Sequence, residues 1–137
     1  MSPDFQEANE TALIPAALDH DIGIVNYGNT RRVTERRLSQ GAGGLSGPEL
    51  FPDALENVRR IRRRFGQNLD IIATGGIDAP DKALSLLEAG ATACGYFTGF
   101  ITRGPILARH ILDRLSRELD RRRIASLGDL RRPVVGQ

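Results

Sequence analysis

The most informative stretch of the sequence reads Asp70-Ile71-Ile72-Ala73-Thr74-Gly75-Gly76-Ile77-Asp78-Ala79-Pro80-Asp81. Its apolar beginning predicts a short buried strand, which the glycine pair ends. Asp78 then predicts the N-cap of a helix that has Pro80 in its first turn and ends near Gly90. A buried strand followed at once by a helix is the repeating unit of a parallel α/β sheet.

Two more strands are predicted on the same grounds, one before this stretch over 22–27 and one after it over 91–97. Small polar residues and glycine follow both strands, as they follow the strand that ends at Thr74. The segment 31–42 is polar and basic, and it predicts a long loop over one face of the sheet.

Helices are predicted over 6–19, over 51–65, after Asp78, and from Gly104-Pro105 onward, with one short turn over 126–130. Pro15 is expected to kink or split the first helix, because proline removes a backbone donor and clashes with the preceding turn. The apolar stripe of the second helix contains Leu55, Val58, Ile61 and Phe65, and that of the last long helix contains Leu107, Ile111, Leu115 and Leu119.

The order of elements, a leading helix and then three strand–helix units, predicts an α/β protein with a parallel sheet. A complete (β/α)8 barrel needs roughly 250 residues, whereas this chain has 137 residues. We therefore predict one domain over 1–137 that is the carboxyl-terminal part of a TIM (β/α)8 barrel. The alternative is a small doubly wound sheet, but no six-strand pattern supports it.

Composition is that of a globular protein, with 40% hydrophobic and 26% charged residues and a net charge of +2. No apolar run approaches the roughly 20 residues that span a bilayer, and residues 1–5 are not expected to be a signal peptide because no basic region is followed there by an apolar segment. The arginine runs at 59–64 and 121–123 are interpreted as solvated helix faces, without a nucleic-acid partner. A single cysteine, Cys94, predicts a reducing cytoplasm and a small core residue rather than a reactive thiol.

Each predicted strand ends in a cluster of glycine and small polar residues, namely Gly28-Asn29-Thr30, Gly75-Gly76 and Thr98-Gly99. Glycine lets a phosphate approach the backbone, and the amides of a following helix supply donors. The last two βα loops of such barrels commonly bind phosphate. The alternative is that these glycines only permit tight turns.

Four segments together resemble the dihydroorotate dehydrogenases, most closely the quinone-dependent, membrane-peripheral class. They are Gly43-Gly44-Leu45-Ser46-Gly47-Pro48, then 71–77, then 87–91, and finally Thr98-Gly99-Phe100 followed by Arg103-Gly104-Pro105. The resemblance extends from Ser2 to Leu130 with the segments in the order of the family.

The resemblance implies FMN as the cofactor and no metal. It places the FMN phosphate on backbone groups, which here would be those of Gly47, Gly75, Gly76, Phe97 and Thr98. Phe97 stands where the family usually has tyrosine, a change that a main-chain contact should tolerate. The resemblance also places Gly28 near the flavin, and it implies that Asn29 and Thr30 bind the orotate ring and its carboxylate, a task suited to uncharged donors and acceptors.

The family reaction oxidises dihydroorotate to orotate in pyrimidine (UMP) biosynthesis, with FMN as the oxidant and quinone as the final electron acceptor. The resemblance places the catalytic base in an earlier loop and a flavin-contacting lysine just before Ser2, so we expect no catalytic residue in this chain and little turnover by it alone. Ser46 lies in the flavin-phosphate loop and is not expected to be the base. His20 and His110 match no catalytic position of the family.

Two alternatives remain beside an enzyme fragment. One is a split flavoenzyme in which an upstream half-barrel polypeptide, or a homo-oligomer, supplies the missing strands. The other is a non-catalytic module that binds phosphate or FMN. For the full-length protein the resemblance implies a cytoplasmic location, peripheral to the inner membrane.

Overall fold

The computed structural model of the protein describes residues 7–130. Its helices are α1 (Glu7–Asp19), α2 (Phe51–Phe65), α3 (Pro80–Glu88), α4 (Thr98–Arg103), α5 (Ile106–Arg122) and α6 (Leu127–Leu130). Its strands are β1 (Ile24–Tyr27), β2 (Arg31–Thr34), β3 (Ala42–Leu45), β4 (Asp70–Thr74) and β5 (Ala93–Gly95). Within 7–130, no helix combines the length and the apolar character that a membrane span requires.

A parallel sheet at the centre of the molecule contains β1, β4 and β5, with β4 in the middle. Ile24 of β1 pairs with Asp70, and Ile72 pairs with Ala93 of β5. The three strands lie side by side in chain order, as they do in a (β/α)8 barrel. In a doubly wound sheet, by contrast, the order of the strands along the sheet reverses at a switch point. The predicted parallel α/β sheet is confirmed, although β1 and β5 are shorter than predicted.

One face of this sheet forms the hydrophobic core with the helices. Ile71 and Ala73 of β4 are fully buried, as are Val58 and Ile61 of α2 and Leu86 of α3. Burying an aliphatic side chain of this size stabilises the fold by roughly 1.5–3 kcal/mol. The predicted stripe of α5 is confirmed, since Leu107, Ile111 and Leu115 are buried and Leu119 packs against them.

The segment predicted as a long loop over 31–42 is instead part of an antiparallel hairpin. Its strands β2 and β3 pair Arg31 with Leu45 and Thr34 with Ala42. Arg31 Nη1 also donates to Asp53 Oδ2 at 2.9 Å, which joins the hairpin to the first turn of α2. The loop prediction was wrong because both faces of β2 carry polar residues, so the strand lacks the alternation of a half-buried strand.

The arginine run at 59–64 is only partly the solvated face that its pattern predicted. Arg60 Nη2 donates to the buried Glu10 Oε1 at 2.6 Å. Arg62 donates to the backbone carbonyl of Gly90 through Nε at 3.0 Å and to that of Leu69 through Nη1 at 2.9 Å. These two guanidinium groups therefore connect α2 to α1 and to the loops that precede β4 and β5, where they satisfy buried acceptors.

Two smaller expectations about helix ends and interruptions are also corrected. The N-cap of α3 is Ala79 rather than Asp78, with Ala79 in an extended conformation at φ −146° and ψ 151°. A residue that precedes proline avoids the helical region, so Pro80 moves the helix start one residue further along the chain. Pro15 lies inside α1, which continues from Glu7 to Asp19, so the predicted split of this helix is wrong, while the kink stays a prediction.

A buried carboxylate on α5 gathers three arginines of the same helix. Glu118 is almost fully buried and accepts hydrogen bonds from Arg121, from Arg114 at 2.8 Å and from Arg122 at 2.5 Å. Arg122 also contacts Glu88 at the end of α3. Hydrogen bonds from Arg121, then from Arg114 and Arg122, hold the pKa of Glu118 well below its usual range.

Acid sensitivity is the first testable consequence of this cluster. An unfolded glutamate titrates near pH ~4.3, above the folded-state pKa, so the stability contributed by Glu118 is complete above that pH and is lost as pH falls through the folded pKa. Glu118→Gln is expected to lower the Tm at pH 7 and to flatten the acid limb of Tm against pH, as followed by circular dichroism. Glu49→Gln, on an exposed residue, is the control. An unchanged acid limb in Glu118→Gln would contradict this account.

Candidate functional site

The carboxyl ends of the parallel strands, the hairpin and the start of α4 surround one cavity of about 270 Å³. Its walls consist mainly of small, polar and glycine residues together with a few apolar side chains. They are Asn29, Thr30, Ser46, Gly47, Pro48, Leu50, Thr74, Gly75, Gly76, Ile77, Asp78, Tyr96, Phe97, Thr98, Gly99 and Thr102. Ligands of parallel α/β proteins bind at this edge of the sheet.

Three glycines of the cavity wall have backbone conformations that other residues rarely adopt. Gly47 has φ +118°, Gly75 has φ +116° and Gly76 has φ +73°. At Gly76 there is also no space for a side chain, because a Cβ atom would lie 2.3 Å from the backbone nitrogen of Phe51. The structure thus brings together, in one wall, three of the backbone positions that the sequence analysis assigned to a phosphate.

Gly28 lies behind the cavity rather than in its wall. A Cβ atom at this position would be 1.6 Å from the carbonyl oxygen of Thr74, and its φ is +116°. The backbone after β1 therefore packs directly on the end of β4, and this packing places Asn29 and Thr30 at the cavity.

Phe97 and Thr98 begin a short helix, α4, that the sequence analysis missed. The amide of Ile101 donates to the carbonyl of Phe97 at 3.1 Å, whereas the side chain of Phe97 is 73% exposed. The first amides of a helix have no acceptor within it and can bind an anion. Six residues in α4 are too few for a periodic apolar pattern, although the Thr98-Gly99 pair was a local signal for this loop.

Hydroxyl groups connect the two loops that face each other across the cavity. Thr98 Oγ1 donates to Ser46 Oγ at 3.1 Å, and Thr102 Oγ1 donates to the carbonyl of Thr98 at 3.0 Å. Ser46 lies in the wall beside Gly47. Its hydroxyl accepts the hydrogen bond from Thr98, so this contact joins the hairpin side of the cavity to the start of α4.

Asn26 lies outside the cavity wall but bonds to Thr74 in that wall, a contact that the sequence analysis overlooked. Its Oδ1 accepts a hydrogen bond at 2.8 Å from Thr74 Oγ1 on the neighbouring strand β4. On β5, a Cβ at Gly95 would lie 2.9 Å from the same threonine hydroxyl. The sequence held one signal of a polar contact here, because Asn26 is a polar residue in an otherwise apolar strand.

Behind the sheet, a buried polar cluster supports the strand that leads to Asn29. Tyr27, the last residue of β1, donates from its hydroxyl to Glu10 Oε1 at 2.5 Å, and Arg60 donates to the same oxygen. Glu10 is 2% exposed. Burial, followed by the hydrogen bond to Glu10, raises the pKa of Tyr27 to about 12, so the phenol remains a neutral donor.

The remaining sequence candidates lie away from the cavity. Cys94 is half-buried, and its thiol approaches the carbonyl of Ala83 at 3.7 Å. Its side chain packs against the hydrophobic core, and burial raises the pKa of the Cys94 thiol to about 11, as expected of a packing residue. His20 and His110 are exposed and do not line the cavity.

These features define a class of protein. A parallel strand–helix series whose βα loops enclose a glycine-lined cavity is typical of part of a (β/α)8 barrel. The sequence model for dihydroorotate dehydrogenase matches residues 1–119. The chain therefore belongs to the dihydroorotate dehydrogenase family.

Individual relatives agree with this assignment. The dihydroorotate dehydrogenase (quinone) of Prochlorococcus marinus is 47% identical over 88 residues, which are 64% of this chain and 22% of that protein. The dihydroorotate dehydrogenase (quinone) of Chloroflexus aurantiacus is 38% identical over 117 residues, 81% of this chain and 32% of that protein.

Solved structures confirm the predicted fold class. The ligand-free DHODH of Eimeria tenella superposes with a TM-score of 0.81 at 29% identity, over 97% of this chain and 39% of that chain. The DHODH of Eimeria tenella in complex with ferulenol superposes with a TM-score of 0.81 at 28% identity, over 95% of this chain and 35% of that chain. The chain thus spans between 22% and 39% of the length of these relatives.

Proposed function

We propose that this chain forms the part of a dihydroorotate dehydrogenase that binds the phosphate of FMN and one side of orotate. The observation that carries the proposal is the convergence of Gly47, Gly75, Gly76 and the start of α4 on one cavity. Backbone amides at such positions bind phosphate without a charged side chain.

The size and chemistry of the cavity fit one end of a larger ligand. Its volume of about 270 Å³ is below the ~300–1,000 Å³ of a whole small-molecule site. The hydroxyls of Ser46, Thr98 and Thr102 can donate to phosphate oxygens, while Ile77 and Phe97 offer apolar contacts to the rest of a flavin. We therefore assign the phosphate contacts to Gly47, Gly75, Gly76, Phe97 and Thr98, with Gly28 supporting the wall from behind.

The substrate contacts are assigned to Asn29 and Thr30. Both are exposed at the edge of the cavity next to the carboxyl end of β1. An amide and a hydroxyl can pair with the carbonyl, N–H and carboxylate groups of orotate and introduce no further charge to desolvate. FMN held by the backbone of Gly47, Gly75, Gly76, Phe97 and Thr98 would supply the hydride acceptor for the oxidation of dihydroorotate. In the whole protein we propose quinone as the final acceptor, a role in pyrimidine biosynthesis, and a cytoplasmic place at the inner membrane surface.

A titration with two flavins tests the proposal. The purified chain is expected to quench the fluorescence of FMN saturably and to bind riboflavin, which lacks the phosphate, at least about tenfold more weakly, because hydrogen bonds to a charged group are worth roughly 1.5–3 kcal/mol. Inorganic phosphate should compete with FMN. Equal affinities for the two flavins, in a chain shown to be folded, would contradict a phosphate site.

The Thr98 hydroxyl offers a sharper form of this experiment. Thr98→Ala is expected to weaken FMN binding about three- to tenfold and to leave riboflavin binding unchanged, because a hydroxyl donor to phosphate is lost. Ser39→Ala, in the exposed turn of the hairpin, is the matched control. If Thr98→Ala binds FMN like the wild type, the Thr98 hydroxyl does not contact the phosphate.

The edge of β1 favours a split enzyme as a second candidate. Ile24 in β1 is 52% exposed, and Ile22, two residues before the strand, is 53% exposed, although aliphatic residues of a strand are normally covered. An edge strand with exposed apolar residues is a template for pairing with another chain. We propose that a polypeptide with the preceding barrel strands covers this edge. Co-expression with such a half-barrel from a relative should yield a yellow complex, and separate purification of the two chains would oppose this candidate.

A further inference from the structure

The charge of the cavity wall is unexpected for a site that accepts an anion. Among residues 7–130, Asp78 is the one charged residue in the wall, and no arginine or lysine lines it. A carboxylate beside a phosphate is repulsive, and a like-charge contact of this kind weakens binding. The site therefore needs a cation that cancels the charge of Asp78.

Lys82 is placed to supply that cation. Its Nζ lies 2.6 Å from Asp78 Oδ1, and the two side chains are 25% and 16% exposed. This oxygen is buried and accepts no hydrogen bond of normal geometry from residues 7–130, so its compensation is mainly the charge of the ammonium group. Arg103 Nη2 is 3.9 Å from the other carboxylate oxygen and is 62% exposed, which makes it a weaker, solvent-screened partner.

Contacts on the other side hold Lys82 beside the glycine pair. Lys82 Nζ lies 5.3 Å from the ring centroid of Phe51, within the range of a cation–π interaction. The backbone of Phe51 packs against Gly76, which leaves no room there for a Cβ. The ammonium group therefore lies between the Phe51 ring at the start of α2 and the carboxylate of Asp78.

We propose that Lys82 is a positioning residue of the phosphate site, which neutralises Asp78 and so allows an acidic wall to accept an anion. This inference rests on the proposed function, because it concerns the phosphate end of the same cavity. It assigns to the only lysine of the chain an electrostatic role that does not require contact with the ligand.

Five variants test the proposal through the affinities for FMN and for riboflavin. Lys82→Met is expected to weaken FMN binding about tenfold, since Asp78 then repels the phosphate, and to leave riboflavin binding unchanged. Lys82→Arg and the double variant Asp78→Asn/Lys82→Met should both bind FMN like the wild type. Asp78→Asn alone should bind FMN at least as tightly. Arg63→Met, which removes an equal charge from the exposed Arg63–Glu56 pair on α2, is the matched control.

A thermal melt of each variant separates loss of fold from loss of binding. If Lys82→Met does not fold, Asp78→Asn and the double variant still test the electrostatic argument. Weaker FMN binding in Asp78→Asn, no effect of Lys82→Met in a folded chain, or failure of the double variant to restore binding would each overturn the inference. In all three cases the wild type still prefers FMN to riboflavin. A wild type without that preference overturns the proposed function and the inference with it.

Discussion

Gly28→Ala is expected to lower the free energy of unfolding by at least about 3 kcal/mol, the largest effect of any single substitution that we predict. The new Cβ would lie 1.6 Å from the carbonyl oxygen of Thr74 and 2.6 Å from its carbonyl carbon. These atoms belong to the backbone of the central strand β4, so they cannot move aside without breaking its pairing with β1 or β5. The φ of +116° adds strain for any residue with a side chain.

Gly41→Ala separates the steric clash from the backbone strain. Gly41 also has a positive φ, +66°, but a Cβ added there would meet no atom within 4 Å beyond its own chain neighbours. The control should therefore lose only the ~1–2 kcal/mol of the left-handed conformation. Urea denaturation followed by circular dichroism measures both values. Equal losses in the two variants would show that the packing of Gly28 on β4 is not what restricts this position.

Glu10→Ala is expected to cost about 3 kcal/mol and to lower the Tm by on the order of 10 °C. The carboxylate is 2% exposed and accepts hydrogen bonds from both Tyr27 and Arg60. Without it, the phenol loses its acceptor and the partly buried guanidinium loses its counter-charge. Removal of one partner of a buried ion pair is costly because the other charge remains uncompensated.

Two further variants test the cause of this loss. Glu56→Ala removes the partner of Arg63 in a pair whose side chains are 59% and 68% exposed, and it should change stability by less than about 1 kcal/mol. The double variant Glu10→Ala/Arg60→Met also removes the guanidinium charge that Glu10→Ala leaves without a partner. It should therefore recover part of the lost free energy of unfolding. A double variant that is less stable than Glu10→Ala would show that Arg60 stabilises the fold by other means.

The elements that could be predicted from sequence are those with strong local patterns. The helix over 51–65 and the strand over 70–74 have the predicted bounds, because each combines apolar residues at the right period with a clear stop. Gly66 ends α2 with a positive φ of 60°, as glycine does at many helix ends. Elements with weak local patterns, namely the hairpin of β2 and β3 and the helix α4, were not predicted.

The candidate site likewise has features that the sequence predicted and features that it did not. Segments of glycine and small polar residues were recognisable in the sequence because a backbone with positive φ, or one that packs closely on another backbone, accepts few other residues. Their convergence followed from the fold class, since the carboxyl ends of parallel strands meet at one edge. The fold class does not predict which side chains pair across the sheet. The hydrogen bond between Thr74 and Asn26 is an example that only the structure revealed.

The resemblance of four sequence motifs was sufficient for the family. Local patterns were sufficient for the parallel α/β class and for Gly47, Gly75 and Gly76 in the cavity wall, because periodicity and turn chemistry are local properties of the chain. The roles of Glu10, Arg60 and Lys82 emerged only from the folded chain. Glu10 and Arg60 are 50 residues apart in sequence, and no local preference encodes a contact over that separation. Lys82 is only four residues from Asp78, but its importance depends on the cavity that β1, β4, β5 and the hairpin build around that carboxylate.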